Sequence, residues 1–349
     1  MRPSRDVYIL GYGAYIPIFR IRSENIGRVW GRSKEKLPIP EKAVAGPDED
    51  STTMAYEAAK YALNRALVEP EDIGALFIGT ESPPYAVKPV ATTVAEALGL
   101  KPDILAIDME FACKAGTTAM ICIMGLVASN MMKCGIAIGV DTAQSRPSDE
   151  LEYTTGCGAS AIVLGCDYND PIARIEAVHS FVTDTPDFWR REGAYYPSHA
   201  HRFTGKPAYF RHIIAAGRAL MKELGLKPSD FDYVVFHQPN IKFPQRVARA
   251  LGFDYEKLKP GLVVPYIGNT YAASSLIGLC SVLDRAEPGE RIMLVSFGSG
   301  AGSDAISIVV EEGVRKRRNY APLVHKLIEH SKYIDYPTYI KYRRKIRMK

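Results

Sequence analysis

The chain has 349 residues, of which 47% are hydrophobic and 24% are charged, fractions typical of a globular protein with a substantial core. No apolar stretch approaches the roughly 20 residues needed to span a bilayer, and the N-terminal sequence contains no signal-peptide cleavage site, so we expect a cytoplasmic protein without a membrane segment. The six cysteines lack CxxC spacing, and the close pair His199 and His201 has no further ligands at a suitable spacing. We therefore expect reduced thiols and no bound metal.

Charge is distributed unevenly along the chain. The net charge is +5, but the region 315–349 holds twelve Lys and Arg residues against two Asp and Glu residues. Such a block can bind nucleic acid, yet no zinc finger or ribonucleoprotein-type aromatic motif accompanies it. We interpret it as a basic C-terminal tail that serves solubility or docking, with nucleic-acid binding as the less favoured alternative.

In chain order, the first half of the sequence contains three apolar strands and one helix of small residues. The strands are continuously apolar, as expected where both faces of a sheet are buried. The helix is apolar around most of its circumference, so it must also be buried. These predicted elements are the strand 75–82, the helix 113–131 and the strands 135–141 and 158–166.

The second half repeats this pattern at a constant spacing. Glu81 and Cys113 are 32 residues apart, as are His237 and Asn269, so that one offset of 156 superimposes three successive elements. A repeat of this kind indicates a duplicated architecture. The corresponding elements are the strand 232–240, the helix 268–286 and the strands 291–298 and 302–312.

Strands that alternate with helices predict α/β layers. Two such repeats imply two sheets with the two apolar helices between them, divided into an N-terminal half, 1–166, and a C-terminal half, 167–349, that ends in the basic tail. Equivalent strand ends and helix starts then meet near the axis that relates the halves. The residues expected to converge there are Glu81, Cys113, His237 and Asn269.

Cys113 is the candidate nucleophile, since it begins the first buried helix. A thiolate is the reactive form of cysteine, and a helix N-terminus lowers the thiol pKa by stabilising negative charge. The cation of Lys114 adds to this effect if it faces the thiol. The alternative is a buried structural cysteine, an interpretation that we prefer for Cys122, Cys134 and Cys280.

Three further side chains have both a chemical and a structural interpretation. Glu81 ends a strand, where a carboxylate in a dry cleft has a raised pKa and can transfer protons, or it is an exposed loop residue. His237 can donate a hydrogen bond to a substrate carbonyl or be a buried structural histidine. Asn269 can contact substrate, cap the following helix, or do both. The glycine-rich loop 297–304 offers backbone N–H donors that, with that of Cys113, would form an oxyanion hole.

Five motifs in this order resemble those of the thiolase superfamily, and specifically of the archaeal 3-hydroxy-3-methylglutaryl-CoA (HMG-CoA) synthases: GTESPPYAVKP, EFACKAGTTAM, FHQPNIKFPQR, GNTYAASSL and SFGSGAGSD. The resemblance covers nearly the whole chain. It implies a five-layer αβαβα fold of two duplicated halves, and an acyltransferase that condenses acetyl-CoA with acetoacetyl-CoA and water to give HMG-CoA and CoA in the mevalonate pathway. The substrates are then coenzyme A thioesters, with no permanently bound cofactor.

The resemblance also implies roles for individual residues. Cys113 accepts the acetyl group as a thioester, Glu81 removes a proton from the acetyl methyl group, and His237 polarises the ketone of acetoacetyl-CoA. Water then hydrolyses the thioester on Cys113. The implied substrate contacts are Thr154, Thr204, Asn269, Ser299 and Arg246, and the implied contacts to the CoA moiety are Arg202 and Lys242.

Partners follow from the same resemblance. It implies a homodimer paired through the central sheets, which associates with an acetoacetyl-CoA thiolase and a small OB-fold bridging protein. The basic tail is a candidate surface for such contacts, and neither nucleic acid nor a membrane is expected. The long segment 187–210 interrupts the second repeat, and we interpret it as a wall of the substrate tunnel.

Two other functions remain open at this stage. An initiating ketoacyl-carrier-protein synthase shares the Cys, His and Asn set but needs no carboxylate base, so Glu81 and Lys242 distinguish the present chain from it. A catalytically silent thiolase-fold scaffold that organises partner enzymes has no need of Cys113, Glu81 and His237 together.

Overall fold

The computed structural model describes residues 1–142 and 145–344, apart from the side chain of Arg202. Its strands are β1 (Val7–Tyr15), β2 (Phe19–Arg22), β3 (Glu41–Val44), β4 (Ile73–Gly79), β5 (Leu105–Met109), β6 (Cys134–Asp141), β7 (Gly158–Gly165), β8 (Ala173–Thr185), β9 (Phe188–Trp189), β10 (Ser198–His199), β11 (Tyr233–Phe236), β12 (Arg291–Val295), β13 (Gly300–Val310) and β14 (Lys332–Tyr333).

The α-helices fill the connections between these strands. They are α1 (Ser23–Trp30), α2 (Ser51–Ala66), α3 (Val90–Ala97), α4 (Ala115–Ala128), α5 (Glu150–Thr154), α6 (Arg211–Leu224), α7 (Lys242–Leu251), α8 (Tyr255–Leu258), α9 (Val264–Ile267), α10 (Ser274–Leu283), α11 (Gly313–Arg317), α12 (Val324–Glu329) and α13 (Tyr336–Tyr342). No helix within the described residues is long and apolar enough to cross a membrane.

Nine strands form one hydrogen-bonded sheet in the order β11-β12-β13-β8-β1-β7-β6-β4-β5. Five of these strands come from the first half of the sequence, namely β1, β7, β6, β4 and β5. The other four, β11, β12, β13 and β8, come from the second half. The two groups meet where β1 pairs antiparallel with β8, over only three residues of each strand. The two sheets predicted from the sequence are therefore joined by a short ladder.

Three buried clusters define five layers. The first packs α4 and α10 between the two groups of strands. The second packs α2 and α3 on the outer face of one group, and the third packs α6 and α7 on the outer face of the other. Side chains of β7 alternate accordingly, because Ala161 and Val163 face the outer helices whereas Ile162 and Leu164 face the central pair.

The two central helices begin in the same way. A 3₁₀ turn precedes each of them, Ala112–Lys114 before α4 and Tyr271–Ala273 before α10. The first residue of each turn has a left-handed backbone, with φ of 44° at Ala112 and 50° at Tyr271, which is uncommon for residues other than glycine. A shared irregular feature of this kind supports the predicted duplication.

These turns correct the register of the repeat. They lie 159 residues apart, whereas the sequence predicts an offset of 156. Cys113 therefore corresponds to Ala272, and Asn269 lies three residues before that position. The predicted equivalence of Cys113 and Asn269 was wrong. A run of small apolar residues predicts that a helix is present, but it does not predict the residue at which the helix begins.

The basic C-terminal region folds onto the rest of the protein over its described residues. The Arg317 guanidinium is buried and donates hydrogen bonds to the carbonyl oxygens of Leu10 and Ala66, β14 pairs with β2, and α13 buries Tyr336 and Tyr339. Over these residues the region is a packed part of the fold and not a free tail, since arginine can serve buried carbonyl groups as well as solvent. Its role in solubility or docking stays a prediction. Residues 345–349 lie outside the described residues.

Candidate active site

Six of the residues predicted for the site line one cavity of about 230 Å³, which we call the Cys113 cavity. Elements of both halves contribute to it, as the duplication requires. Segment 187–210 also contributes side chains to its wall, as predicted. The six residues are Cys113, Thr154, Thr204, His237, Asn269 and Ser299.

Glu81 reaches Cys113 directly. The thiol Sγ donates a hydrogen bond to Glu81 Oε1 at 2.9 Å. Cys113 is 6% exposed, at the 3₁₀ turn before α4, and Glu81 follows the end of β4 by two residues and is half-buried. The nucleophile and the carboxylate predicted from the sequence are therefore in contact.

Burial shifts the pKa values of both Cys113 and Glu81. It raises the pKa of the Cys113 thiol well above its usual value, and the nearby Glu81 carboxylate raises it further. Burial likewise raises the pKa of Glu81, with a second contribution from Asp141. The predicted lowering of the thiol pKa was wrong, because loss of solvation outweighs the dipole of a short 3₁₀ turn.

Lys114 faces away from the thiol. Its Nζ lies 3.0 Å from each carboxylate oxygen of Asp304 on β13 and 4.1 Å from the centre of the Phe111 ring. Both members of this ion pair are buried. The cation that was expected to activate Cys113 instead ties the turn of the first half to a strand of the second half.

Asp141 organises the site, although the sequence offered it no role. It accepts hydrogen bonds from the Glu81 amide at 2.8 Å, from the Ser82 hydroxyl at 2.6 Å and from the Thr80 hydroxyl at 3.0 Å. Its other oxygen accepts from the Ala272 amide at 2.9 Å. Burial raises the pKa of Asp141 to about 6. The sequence feature that could have identified Asp141 is its position, as an acidic residue at the end of a continuously apolar strand.

His237 directly follows β11 and is 2% exposed. Its ring centre lies 6.3 Å from the ring centres of Tyr209 and Phe297. No described residue is hydrogen-bonded to Nδ1. Burial lowers the pKa of His237 to about 3, so the imidazole is neutral near pH 7 and carries one N–H donor.

Asn269 lies in the cavity wall and also bonds to the turn that follows it, while its contact with substrate stays a prediction. Its Oδ1 accepts a hydrogen bond from the Tyr271 amide at 3.0 Å, which caps the turn before α10. Its own amide donates to the Thr154 carbonyl at 2.7 Å. The side chain therefore lines the Cys113 cavity while its backbone holds the wall formed by α5.

Asp187 is a second organising carboxylate that sequence reasoning missed. It accepts hydrogen bonds from the Ser299 hydroxyl at 3.1 Å and from the Gly300 amide at 2.9 Å, and its carbonyl accepts from the Thr204 hydroxyl at 3.3 Å. Segment 187–210 and the glycine-rich loop are thus held together beside the cavity.

Three glycine amides of the loop 297–304 are hydrogen-bonded within the protein and are not donors for the predicted oxyanion hole, whereas the contribution of the Cys113 amide and of the other loop amides stays a prediction. The Gly300 amide is bonded to Asp187, and the amides of Gly298 and Gly302 donate to each other's carbonyl oxygens at 2.8 Å. A Cβ atom at position 298 would lie 2.5 Å from the Phe111 carbonyl oxygen. These glycines therefore allow close contact with the turn that carries the nucleophile.

Lys242, predicted to contact CoA, and Arg246, predicted to contact substrate, lie near the Cys113 cavity without lining it. Lys242 and Arg246 are exposed on α7, one helical turn apart, and Phe243 between them lines the cavity. The Arg246 guanidinium lies 4.5 Å from the centre of the Phe210 ring. The side chain of Arg202 is outside the described part of the structure.

Solved structures share this fold. The chain matches MvaS in complex with 3-hydroxy-3-methylglutaryl coenzyme A with a TM-score of 0.87 and 23% identity, over 97% of this chain and 92% of that one. It matches an HMG-CoA synthase complexed with CoA with a TM-score of 0.86 and 22% identity, over 98% and 90% of the two chains. The fold is therefore the α/β thiolase-like fold of condensing enzymes.

Relatives of the same length define the family. The chain is 56% identical to the hydroxymethylglutaryl-CoA synthase of Pyrococcus furiosus over 99% of this chain and 98% of that one. The corresponding figures are 56%, 99% and 100% for the synthase of Methanopyrus kandleri, and 54%, 97% and 99% for that of Methanocaldococcus jannaschii. A family model for the C-terminal part of 3-oxoacyl-[acyl-carrier-protein (ACP)] synthase III matches residues 221–310.

The chain belongs to the hydroxymethylglutaryl-CoA synthase family, in its archaeal form. Its activity is that of HMG-CoA synthase, an acyltransferase of the mevalonate pathway that uses CoA thioesters as substrates.

Proposed function

We propose that Cys113, Glu81 and His237 carry out the condensation of acetyl-CoA with acetoacetyl-CoA through a thioester on Cys113. The observation that carries the proposal is the 2.9 Å hydrogen bond from Cys113 Sγ to Glu81 Oε1. It places a proton acceptor against a thiol whose pKa is raised by burial. Glu81 therefore assists the activation of the nucleophile.

In the first step, Glu81 accepts the thiol proton as the sulfur of Cys113 attacks the acetyl carbon of acetyl-CoA. The bond between that carbon and the CoA sulfur breaks, and the departing thiolate takes the proton from Glu81. The acetyl thioester on Cys113 then has acidic α-hydrogens, one of which the Glu81 carboxylate removes. The enolate attacks the ketone carbon of acetoacetyl-CoA, and the resulting alkoxide takes up the proton held by Glu81.

His237 is suited to donate a hydrogen bond to the ketone oxygen. Its low pKa keeps the imidazole neutral, so it can polarise the ketone through one N–H without adding a buried charge. The aromatic rings of Tyr209 and Phe297 restrict its orientation. A fixed donor aimed at a developing oxyanion stabilises the transition state more than it stabilises the substrate.

Substrate contacts are proposed on two sides of Cys113. Four side chains of the cavity wall would contact the acyl portions: Thr154, Thr204, Asn269 and Ser299. Three cations would contact the CoA moiety, because a polyanionic nucleotide favours Lys and Arg: Arg202, Lys242 and Arg246. The chemistry uses side chains alone, so no permanently bound cofactor is proposed.

A homodimer along β5 is proposed as the functional assembly. β5 is an edge strand of the nine-stranded sheet, and its residues Leu105 and Ile107 are 50% and 45% exposed. An exposed apolar edge strand readily pairs with another chain, including a second copy. An acetoacetyl-CoA thiolase and a small OB-fold protein are further proposed partners on the family resemblance, and the cytoplasm remains the predicted location.

Intact-mass measurement after incubation with acetyl-CoA tests the nucleophile. We expect one acetyl adduct on the unmodified protein, none on Cys113→Ala, and an unchanged adduct on the control Cys122→Ala, because Cys122 lies in α4 away from the Cys113 cavity. An adduct that persists in Cys113→Ala would overturn the proposed mechanism.

The variant Glu81→Ala separates condensation from acetylation. We expect it still to become acetylated, but more slowly, because the thiol loses its neighbouring proton acceptor although its pKa also falls. Formation of HMG-CoA should fall by about 10²–10⁴-fold. Condensation at the unmodified rate would instead favour a ketoacyl-synthase mechanism, which needs no carboxylate base.

A further inference from the structure

A second cavity lies beside Glu81. This Glu81 cavity has a volume of about 510 Å³, and Glu81 is one of the residues that line it. Phe188 and Ser299 line both this cavity and the Cys113 cavity, so they form part of the partition between the two. The remaining walls include Met109, Glu110, Trp189 and Arg190.

Hydrolysis of the thioester on Cys113, the last step of the reaction, requires that water reach Cys113. Condensation joins the acetyl group on Cys113 to acetoacetyl-CoA, so the product is bound to Cys113 by one end and still carries CoA at the other. The Cys113 cavity, of about 230 Å³, is then filled by the acyl chain and its pantetheine arm. Water that hydrolyses the Cys113 thioester must arrive by a route that the CoA arm does not block.

We propose that the Glu81 cavity delivers the water that hydrolyses the thioester on Cys113. This inference rests on the function proposed above. The water oxygen forms a bond to the thioester carbonyl carbon, and the bond from that carbon to Cys113 Sγ breaks. One water proton passes through the Glu81 carboxylate to the sulfur, and the other leaves with the new carboxyl group.

The lining of the cavity suits this task. Glu110 and Arg190 line the cavity with exposed charged side chains, and Glu81 is a third ionisable residue of its lining. A buried water needs two to four polar partners, which such walls supply. The 2.9 Å contact between Glu81 Oε1 and Cys113 Sγ completes a proton path from the cavity to the sulfur.

Filling the cavity tests the proposal. Arg190→Trp puts a large apolar side chain into the Glu81 cavity, Arg190→Met removes the charge with less bulk, and Arg191→Trp is the matched control, because Arg191 is exposed and lines neither cavity. With both substrates, we expect Arg190→Trp to accumulate the CoA-bearing adduct on Cys113 and its turnover to fall on the order of tenfold. Arg190→Met should lose less turnover than Arg190→Trp, and Arg191→Trp should turn over at close to the unmodified rate.

Acetyl-CoA alone provides a second readout. Without the second substrate the Cys113 cavity is open once CoA has left, so acetylation and slow hydrolysis of the acetyl adduct should be unchanged in Arg190→Trp. Unmodified turnover by Arg190→Trp, or equal slowing of both hydrolyses, would overturn the water route and leave the roles of Cys113 and Glu81 intact. Absence of any acetyl adduct on the unmodified protein would overturn the proposed function itself.

Discussion

Burial biases the three side chains Cys113, Glu81 and His237 toward their uncharged forms. It raises the pKa values of the thiol and the carboxyl and lowers that of the imidazole. Because desolvation disfavours whichever form is charged, one physical cause acts on all three. A raised pKa makes the ionised Glu81 carboxylate a stronger base towards the proton of Cys113.

His237 makes the stability of the protein depend on pH. Its folded-state pKa is about 3, below the roughly 6.5 of an unfolded chain, so the unfolded state alone binds a proton between these values. The stability that the neutral ring contributes is present above about pH 6.5 and is lost as the pH falls, by up to about 1.4 kcal/mol per unit.

The variant His237→Asn should therefore lose less stability on acidification than the unmodified protein. Urea unfolding measured between about pH 7 and pH 4 checks this, because Asn does not titrate in that range. The exposed His330, changed to Asn, is the control and should leave the pH dependence as it is. Parallel curves for His237→Asn and the unmodified protein would contradict the expected effect of burial.

At the scale of elements, glycine lets α4 approach the turn before α10. A Cβ atom on Gly116 would lie 2.7 Å from the Ala272 carbonyl oxygen and 3.0 Å from the Gly139 Cα. Real Cβ atoms do not approach backbone this closely, so the backbone would have to move. Since the Ala272 amide is bonded to Asp141, movement there also reaches the loop that carries Glu81.

Two glycines of the same helix give a matched comparison. Gly116→Ala should lower the free energy of unfolding by about 1–3 kcal/mol through overpacking and reduce condensation. Gly125→Ala should be neutral or stabilising by about 0.5–1 kcal/mol, because no heavy atom lies within 4 Å of its added Cβ. Urea unfolding of both variants checks this, and equal effects would contradict the packing argument.

The sequence predicted these elements well and their termini less well. The strand expected at 135–141 is β6, Cys134–Asp141, and the helix expected at 113–131 contains α4, Ala115–Ala128. Continuous apolar runs mark buried strands and helices, but the first turn of a helix depends on caps and contacts supplied by distant residues. The register of Asn269 against Cys113 was missed for this reason.

At the scale of the whole molecule, buried polar groups join the two halves. Lys114 on the first half pairs with Asp304 on the second, and Asp304 also accepts hydrogen bonds from Thr117 at 2.9 Å and from Ser180 at 2.7 Å. A buried pair of this kind is costly to break because the remaining charge has no partner. It fixes the turn of Cys113 against β13.

Lys114→Met should lower the free energy of unfolding by about 3–5 kcal/mol, because it leaves the Asp304 carboxylate buried without its cation. The double variant Lys114→Met/Asp304→Asn removes the charge and keeps one acceptor oxygen, for either Thr117 or Ser180, which donate to different oxygens of Asp304. It should recover part of this loss. Urea unfolding of the single and double variants checks the prediction. A double variant no more stable than Lys114→Met would show that charge is not the cause.

The sequence by itself determined the layered α/β fold and predicted the duplication and the site residues Cys113, Glu81 and His237, because apolar periodicity and motif spacing are local properties of the chain. Only the tertiary structure decided the contact between Cys113 and Glu81 with the direction of their pKa shifts, the orientation of Lys114 and the positions of Asp141 and Asp187. Desolvation and the choice of a hydrogen-bond partner depend on residues far apart in sequence, and the packing of the halves brings them together.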